Sequence, residues 1–362
     1  MAKTCKGGGR VMKYDAIYPG KPWYDTHGRR IQAHGASVYY EDGVYYWIGE
    51  NKQFTHKGAK VWTWGVKCYS STDLYNWRDE GLIIPPTPYD KKSPLHPYRR
   101  LDRPHIIFNP KTKKYVAWLK FCDRNEFAIM TADSLLGPYK MVVPSYRPYG
   151  RGCGDFDLAL DEESGTGYLY VEADHLDCIV CKLNEDFTQA AGEYKKIYEN
   201  IKPPFTREGI SHMVRNGKHY VFSSGMTGYT PNPSEVAIAD DFMGPYTVQG
   251  DPHVDDASSA SFNSQISFVF KVADKDLYIA VADRWIPGDL MTVERYDVVK
   301  RAIAARTDKS IKVTQKEKMQ MIRQMMQQVD TSVADYVWLP ITFEGDRARI
   351  RWHDSWKTEE YM

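Results

Sequence analysis

A carboxylate at the mouth of a predicted hairpin is the first group in this sequence that could do chemistry. Glu208 follows Arg207 and directly precedes a run of residues that predicts a strand. The dipeptide Asn216-Gly217 is typical of a two-residue hairpin turn, and residues 219–223 predict the return strand. A rigid hairpin can present Glu208 to a ligand at this position. The other interpretation of Glu208 is a surface ion pair with Arg207.

Other polar residues stand beside predicted strands in a comparable way. They are His34, Glu50, Asp102, Asp155, Asp157 and Gln265. Acidic groups that meet at one axis repel each other unless a cation or a proton is shared, and such sites raise carboxyl pKa values. A raised pKa is what a general acid for glycosidic cleavage needs. Any of the three aspartates alone could instead cap a loop or form an ion pair, but their recurrence, one group near each repeated strand, favours a shared site.

The elements that would position these groups are five copies of a Tyr-rich strand. The leading tyrosines are at positions 45, 115, 168, 220 and 278. A second pattern follows the first four strands, and two of its copies, TADSLLGPY and IADDFMGPY, are nearly identical. Repeats of about fifty residues that consist of short antiparallel strands are typical of propeller blades. The sequence therefore predicts an all-β protein with a five-bladed β-propeller, whose ligand site lies on the axis near the inner strands.

The pattern changes after the fifth copy. Residues 311–329 predict a short amphipathic helix, whose apolar side chains we expect to pack on the flank of the propeller. These side chains are Met319, Ile322, Met325 and Met326. Residues 336–352 predict closing strands, and in propellers a terminal strand often completes the first blade. We therefore predict a single propeller domain over residues 1–362, with a helical insertion before its last strands.

Composition excludes several partners. The 48 Lys and Arg residues nearly balance the 47 Asp and Glu residues, so we expect no nucleic-acid or membrane partner. No apolar run is long enough to span a bilayer. The aromatic content of 14% suits strands and sugar binding.

Cys178 and Cys181 form a CxxC inside a strand-like run without a second ligand pair, so we interpret them as core thiols. The N-terminus shows no hydrophobic signal region, which predicts a cytoplasmic protein or a secreted one after leader removal.

The sequence resembles glycoside hydrolase family 43, a family of five-bladed propeller hydrolases, and is most similar to its exo-β-1,3-galactanase branch. The matching segments are PGKPWYDTHGRRIQAHG (19–35), YYWIGENK (45–52), LDRPHIIFNPKTKKYVAW (101–118), DFDLALDEESGTGYLY (155–170), REGISHMVRNGKHYVFSSGMTGYTPN (207–232), FNSQISFV (262–269) and YVWLPITFEGDRARIRWHDSW (336–356). They are spread over most of the chain.

The resemblance implies roles for individual residues. Glu208 matches the general acid and Asp155 the carboxylate that tunes it, whereas His34 stands where most of the family has an aspartate base. The galactanase branch lacks that base, and Gln265 matches its water-handling glutamine. The resemblance further implies that Glu50, Asp102, Thr227 and His34 bind the sugar. In this branch a glutamate is usual at the position of Asp102.

The sequence leaves some alternatives open. An amide is a poor base, and His34, with an unperturbed pKa of about 6.5, is the rival water-activating group. The main expectation is an exo-acting inverting hydrolase that releases galactose from β-1,3-galactan. The alternatives are another family 43 specificity, namely α-L-arabinofuranosidase, β-D-galactofuranosidase or β-xylosidase, or a propeller that binds sugar without catalysis. We expect no required cofactor; some relatives hold an axial calcium ion, but no dedicated ligand loop for one is present.

Overall fold

Five β-sheets form the propeller, as the repeats predict, and four of them are wholly antiparallel. The computed structural model describes residues 13–202, 204–305, 308–326 and 329–362. The first twelve residues, which carry Cys5 and the leader prediction, lie outside the described residues. No helix in the described ranges is both long and apolar enough to cross a membrane.

Blades one to four each contain four strands that follow one another in the sequence. Blade one comprises β1 (His34–Glu41), β2 (Val44–Glu50), β3 (Val66–Ser71) and β4 (Arg78–Ile84). Blade two comprises β5 (Leu101–Asn109), β6 (Lys114–Phe121), β7 (Glu126–Ala132) and β8 (Lys140–Tyr146). Blade three comprises β9 (Cys153–Asp161), β10 (Thr166–Ala173), β11 (Asp177–Leu183) and β12 (Ala190–Tyr198). Blade four comprises β13 (Arg207–Arg215), β14 (Lys218–Gly225), β15 (Ser234–Ala239) and β16 (Thr247–Gly250).

Blade five has a different connectivity, and this corrects one expectation. Its strands are β17 (His253–Val254), β18 (Gln265–Lys271), β19 (Tyr278–Arg284), β20 (Asp335–Glu344) and β21 (Arg347–Arg351). Two helices, α1 (Val293–Ala304) and α2 (Gln315–Met326), separate β19 from β20. The helical insertion therefore lies inside blade five, and the C-terminal strands complete that blade and not the first one.

The helices differ from the expectation in two ways. The predicted helix corresponds to α2, but Met319 and Ile322 are exposed, so the expectation that they pack on the propeller flank is wrong. The side chains of Met325 and Met326 lie outside the described part. The sequence analysis missed α1, although Thr292 precedes it as an N-cap whose side chain accepts a hydrogen bond from the Arg295 amide.

The propeller closes through the N-terminal segment. Ile17 pairs with Trp356 through two backbone hydrogen bonds, and Lys21 forms a bridge with Tyr336 on β20. Trp23 packs its ring against Trp338 of blade five, at 5.3 Å between ring centroids. The segment before β1 is thus fixed between blades one and five.

Each pair of neighbouring blades shares one hydrophobic cluster, so the core consists of five clusters between blades. The inner strands contact each other around the ring in the order β1, β5, β9, β13, β18 and back to β1. Cys178 and Cys181 are buried in these clusters without a disulfide, which confirms their interpretation as core thiols. The first residues of the five inner strands consequently lie around one axis.

Candidate active site

Irregular strand pairing turns the beginning of each inner strand towards the axis. The register shifts directly after His34, Asp102 and Glu208, where β1, β5 and β13 pair with their neighbours. It also shifts beside Asp155 on β9 and just after Gln265 on β18. Bulges of this kind bend a strand and change the direction of a side chain, and they are common beside active sites. The first residues of β5, β9, β13 and β18 can thereby meet in one cavity.

The axial cavity has a volume of about 220 Å³. Its lining includes five of the seven sequence-predicted site residues, namely Glu50, Asp102, Asp155, Glu208 and Gln265. Arg103 and Lys120 line it as well, together with Trp62, Tyr229 and Trp285. The structure thus brings together a cluster of carboxylates, cations and aromatic rings from all five blades or their loops.

Glu208 is the carboxyl whose properties best suit a general acid. Its side chain is partly exposed to the cavity, and its Oε1 atom accepts a hydrogen bond of 3.0 Å from the Gln265 amide nitrogen. Removal from bulk water and the neighbouring negative charge of Asp155 raise the pKa of Glu208 to about 8. At neutral pH this carboxyl therefore holds a proton that it can donate.

Asp155 has the opposite character. Burial acts to raise its pKa, but Arg103 and Lys120 hold the pKa of Asp155 well below its usual range. The Arg103 Nε atom and the Lys120 Nζ atom each lie 2.8 Å from an Asp155 oxygen. The Gly209 amide donates a further hydrogen bond of 2.9 Å, so Asp155 is ionised directly beside the acid. When two neighbouring carboxyl groups have such different pKa values, one can donate a proton while the other stays charged.

Gly209 makes this close approach possible. Its φ of 62° lies in the left-handed region, and an added Cβ would lie 3.0 Å from the Ile266 carbonyl oxygen and 3.3 Å from Cγ of Gln265. Only glycine adopts this conformation without strain in so little space. The Glu-Gly pair in the sequence thus sets the contact between blades four and five.

The side chain of Gln265 is held by three partners. Its carbonyl oxygen accepts a hydrogen bond of 2.8 Å from Arg103, and its amide nitrogen donates to Glu208 and to Ser224 Oγ. Arg103 therefore joins Asp155 to Gln265 within one network. One lone pair of the Gln265 carbonyl remains for a water molecule, because an amide oxygen can accept two hydrogen bonds.

A second charge network forms the opposite part of the lining. Lys52 Nζ lies 2.5 Å from a Glu50 oxygen and 3.7 Å from an Asp102 oxygen. Burial raises the pKa of Glu50 to about 7, although Lys52 acts in the opposite direction. Trp62 donates a hydrogen bond of 2.6 Å to Asp102. Glu50 and Asp102 thus line the cavity as carboxyl groups that Lys52 and Trp62 hold in place.

The structure does not bring His34 or Thr227 into the lining of the axial cavity. His34 is completely buried; its Nδ1 atom lies 2.8 Å from Asp283, and its ring stacks on Tyr336. Burial lowers the pKa of His34 even though Asp283 favours the charged form. Thr227 donates to the Thr230 carbonyl and accepts from Asn232, which fixes the loop after β14.

Sequence reasoning missed the cations and the aromatic wall. Tyr229 packs against Trp285 with ring centroids 5.3 Å apart and lies 6.5 Å from Trp62. Tyr229 belongs to the Gly-containing loop after β14, which the sequence marks as polar, and Trp285 directly follows β19. Arg103 stands next to Asp102 in the LDRPH motif, so a search for counter-ions among the neighbours of each carboxylate could have found it.

The described residues show no cluster of side chains that would mark a metal site on the axis. They contain no group of three or more His, Cys, Asp and Glu residues placed to hold a metal. Glu50 and Asp155 already contact Lys or Arg side chains within 2.8 Å. Buried cations thus offset part of the negative charge in this lining.

These features define an enzyme-like propeller with an acidic axial cavity, and comparison with known proteins identifies its family. The model of glycosyl hydrolases family 43 matches residues 31–295. The match spans most of the chain, and the chain belongs to this family. No curated protein sequence matches it.

Solved structures extend the comparison to the whole propeller. The chain is similar to the GH43 β-1,3-galactosidase BT0265, with a TM-score of 0.78, 27% identity, and coverage of 96% of this chain and 65% of that one. It is also similar to the exo-β-1,3-galactanase from Phanerochaete chrysosporium solved with galactose, with a TM-score of 0.74, 22% identity, and coverage of 95% and 68%. For the exo-β-1,3-galactanase from Clostridium thermocellum the TM-score is 0.72 and the identity 23%, with coverage of 94% and 66%. The last two likenesses establish the fold alone.

Proposed function

We propose that this protein is an exo-acting inverting glycoside hydrolase that releases galactose from β-1,3-linked galactan or galacto-oligosaccharides. The observation that carries the proposal is the position of Glu208 in the axial cavity, in contact with Gln265 and beside Asp155, which Arg103 and Lys120 hold at 2.8 Å. Membership of glycosyl hydrolases family 43 supports the reaction class. The likeness to a β-1,3-galactosidase at 27% identity supports the choice of sugar and linkage.

The size of the axial cavity supports exo action. Its volume of about 220 Å³ is smaller than the sites of about 300 to 1,000 Å³ that hold drug-sized ligands. A cavity of this size suits one sugar residue at the end of a chain. Trp62, Tyr229 and Trp285 supply the flat apolar surfaces on which a pyranose ring packs.

In the first part of the reaction, Glu208 protonates the glycosidic oxygen as the bond to the anomeric carbon breaks. The galactan leaving group is a poor alkoxide without this proton, so general acid catalysis is required. Asp155 keeps the proton on Glu208 until the transition state, because loss of the proton would place two negative charges side by side. Lys120 and Arg103 hold Asp155 in place and limit the charge once Glu208 has ionised.

In the second part, a water molecule attacks the anomeric carbon from the opposite face. Inverting enzymes hold the acid and the water-activating group about 6.5–9.5 Å apart. Gln265 lies in direct contact with Glu208, at 3.0 Å, so the sugar must enter between them and break this hydrogen bond. The freed amide then orients the water through its carbonyl oxygen, while Arg103 fixes the same oxygen from the other side. The proton that the water loses on attack passes to solvent, and Glu208 regains a proton from solvent after the leaving group departs.

The experiment is a substrate panel with stereochemical analysis. Wild-type protein is incubated with β-1,3-galactotriose and with aryl α-L-arabinofuranoside, β-D-galactofuranoside and β-xyloside, and Glu208→Gln is the matched control. We expect galactose from the triose alone, and proton NMR should show the α-anomer first. Preferred cleavage of another glycoside would establish a different family 43 specificity, and binding of the triose by wild-type protein without cleavage would establish a sugar-binding propeller.

A further inference from the structure

A second, larger cavity adjoins the axial one. It has a volume of about 490 Å³ and is formed by residues 55–62, in the loop after β2, with Tyr98, Arg100 and Tyr229. Trp62 and Tyr229 line both cavities, and their ring centroids lie 6.5 Å apart at an interplanar angle of 31°. The two rings therefore form a shared wall, and a ligand that leaves the axial cavity along this wall enters the second one. We call this second space the outer basic cavity.

The outer basic cavity differs from the axial cavity in its charge. Lys57, Lys60 and Arg100 line it together with His56, and its lining contains no Asp or Glu. Within the described part of the chain, none of these three cations has an ion-pair partner. Arg100 lies over the Trp62 ring at 4.9 Å, which places a guanidinium at the shared wall.

The axial cavity would reject the ligand that the outer one attracts. Its lining carries four carboxyl groups, of which Glu208 is protonated at neutral pH, and the Arg103 and Lys120 cations there are already paired with Asp155. An anionic group on the terminal sugar would face like charges in that cavity, and such juxtaposition is unfavourable. Cations in a concave site attract an anion more strongly than the same cations on an open surface. The axial cavity therefore favours a neutral terminal sugar, and an anionic substituent is better accommodated beyond the shared wall.

We propose that the outer basic cavity binds an anionic substituent of the substrate, either the carboxylate of a uronic acid or a sulfate ester. The substituent is carried by a sugar other than the terminal galactose. This inference rests on the proposed function, because it requires the terminal galactose in the axial cavity. It narrows the natural substrate to an acidic galactan.

The test compares matched oligosaccharides. The substrates are a neutral β-1,3-galacto-oligosaccharide, the same chain with a glucuronic acid branch, the methyl ester of that acid, and a sulfated form. We expect kcat/KM for the two charged substrates to exceed that for the methyl ester by about tenfold at low ionic strength, because several exposed cations act together. The advantage should shrink in about 0.5 M sodium chloride, where charges are screened.

Variants locate the effect. Lys57→Gln combined with Lys60→Gln should remove most of the charge advantage and leave kcat/KM for the neutral substrate within about twofold. The control is Lys182→Gln combined with Lys195→Gln, which changes the same charge at exposed positions on the outer strands of blade three and should keep the advantage.

The possible outcomes separate the two claims. Cleavage of the neutral substrate with no preference for acid over ester overturns this inference and leaves the proposed function intact. Equal losses on all substrates in the Lys57/Lys60 variant also overturn it, because charge recognition would then not be the role of these lysines. A preference for carboxylate alone, or for sulfate alone, supports the cavity and identifies the anion. Failure of wild-type protein to cleave any β-1,3-galactan refutes the proposed function, and the inference falls with it.

Discussion

Replacement of Asp155 by Asn tests the electrostatic basis of the acid assignment. The change removes the negative charge beside Glu208 and keeps the shape of the side chain. It also removes the anion that lies nearest to Lys120 and Arg103, and both cations favour ionised Glu208. Both effects lower the pKa of Glu208, so the variant should lose its proton donor at a lower pH than the wild type.

The size of the effect follows from the raised pKa. A like charge within a few ångströms accounts for about 1 to 3 pKa units, so the pKa of about 8 should fall to about 6. At pH 7 the protonated fraction of Glu208 would then drop from about 90% to about 10%, and kcat/KM would fall about tenfold. Near pH 5 Glu208 is protonated in both proteins, so their kcat/KM values should converge after correction for any change in the acidic limb of the pH profile.

The assay is the pH profile of kcat/KM on β-1,3-galactotriose, with circular dichroism and thermal unfolding at each pH. Asp157→Asn is the matched control, because Asp157 lies on the same strand, is buried, and contacts His105 and the His212 amide outside the axial cavity. Asp157→Asn should change thermal stability without moving the alkaline limb of the pH profile. A folded Asp155→Asn protein whose alkaline limb stays near that of the wild type would refute the reasoning.

Three further perturbations test neighbouring parts of the site. Glu208→Gln should lower kcat on galactan by about a thousandfold but affect an activated aryl galactoside much less, and equal losses on both would exclude Glu208 as the acid. The Tm of the same variant should exceed that of the wild type at about pH 9 but not at about pH 5. A carboxyl whose pKa is higher in the folded state than in the unfolded state lowers stability as the pH rises from the unfolded-state pKa towards 8. A difference in Tm that does not depend on pH would contradict the raised pKa. Gln265→Ala should nearly abolish hydrolysis, and azide should restore turnover of this variant with a glycosyl azide of inverted configuration as the product. His34→Ala should lower Tm and keep measurable turnover. If azide instead restores the activity of His34→Ala while Gln265→Ala keeps near-native rates, the histidine is the group that activates the water.

Strand periodicity made the fold predictable. Tyr-rich strands recur because each blade buries the same face of its second strand, as Tyr45, Tyr115 and Tyr168 show. Polar residues near the start of each inner strand then had to approach one axis, and Glu208, Asp155 and Gln265 do meet there. These predictions depend only on repeats and chain order, which a single sequence displays directly.

Other parts depend on contacts between distant positions. His34 occupies the expected place in blade one, but its side chain points to Asp283 and Tyr336, almost 250 and about 300 residues further along the chain. The cations Lys120 and Lys52 come from second strands or loops, and no local pattern distinguishes them from surface lysines. The position of α1 and α2 inside blade five is likewise set by the pairing of β19 with β20, which a linear reading of repeats does not show.

The hydrogen bond between Glu208 and Gln265 constrains the inverting mechanism that we propose. Both groups are polar and in contact before the sugar arrives, so substrate binding must separate them and replace their hydrogen bond. Arg103 makes this separation less costly, because it keeps the Gln265 carbonyl fixed while the amide nitrogen exchanges Glu208 for the substrate. Asp155 contacts the same guanidinium, so Arg103 links the glutamine to the negative charge beside Glu208. In the proposed mechanism Arg103 thus contacts both Asp155, which keeps Glu208 protonated, and Gln265, which orients the water. This link does not require a carboxylate base in blade one.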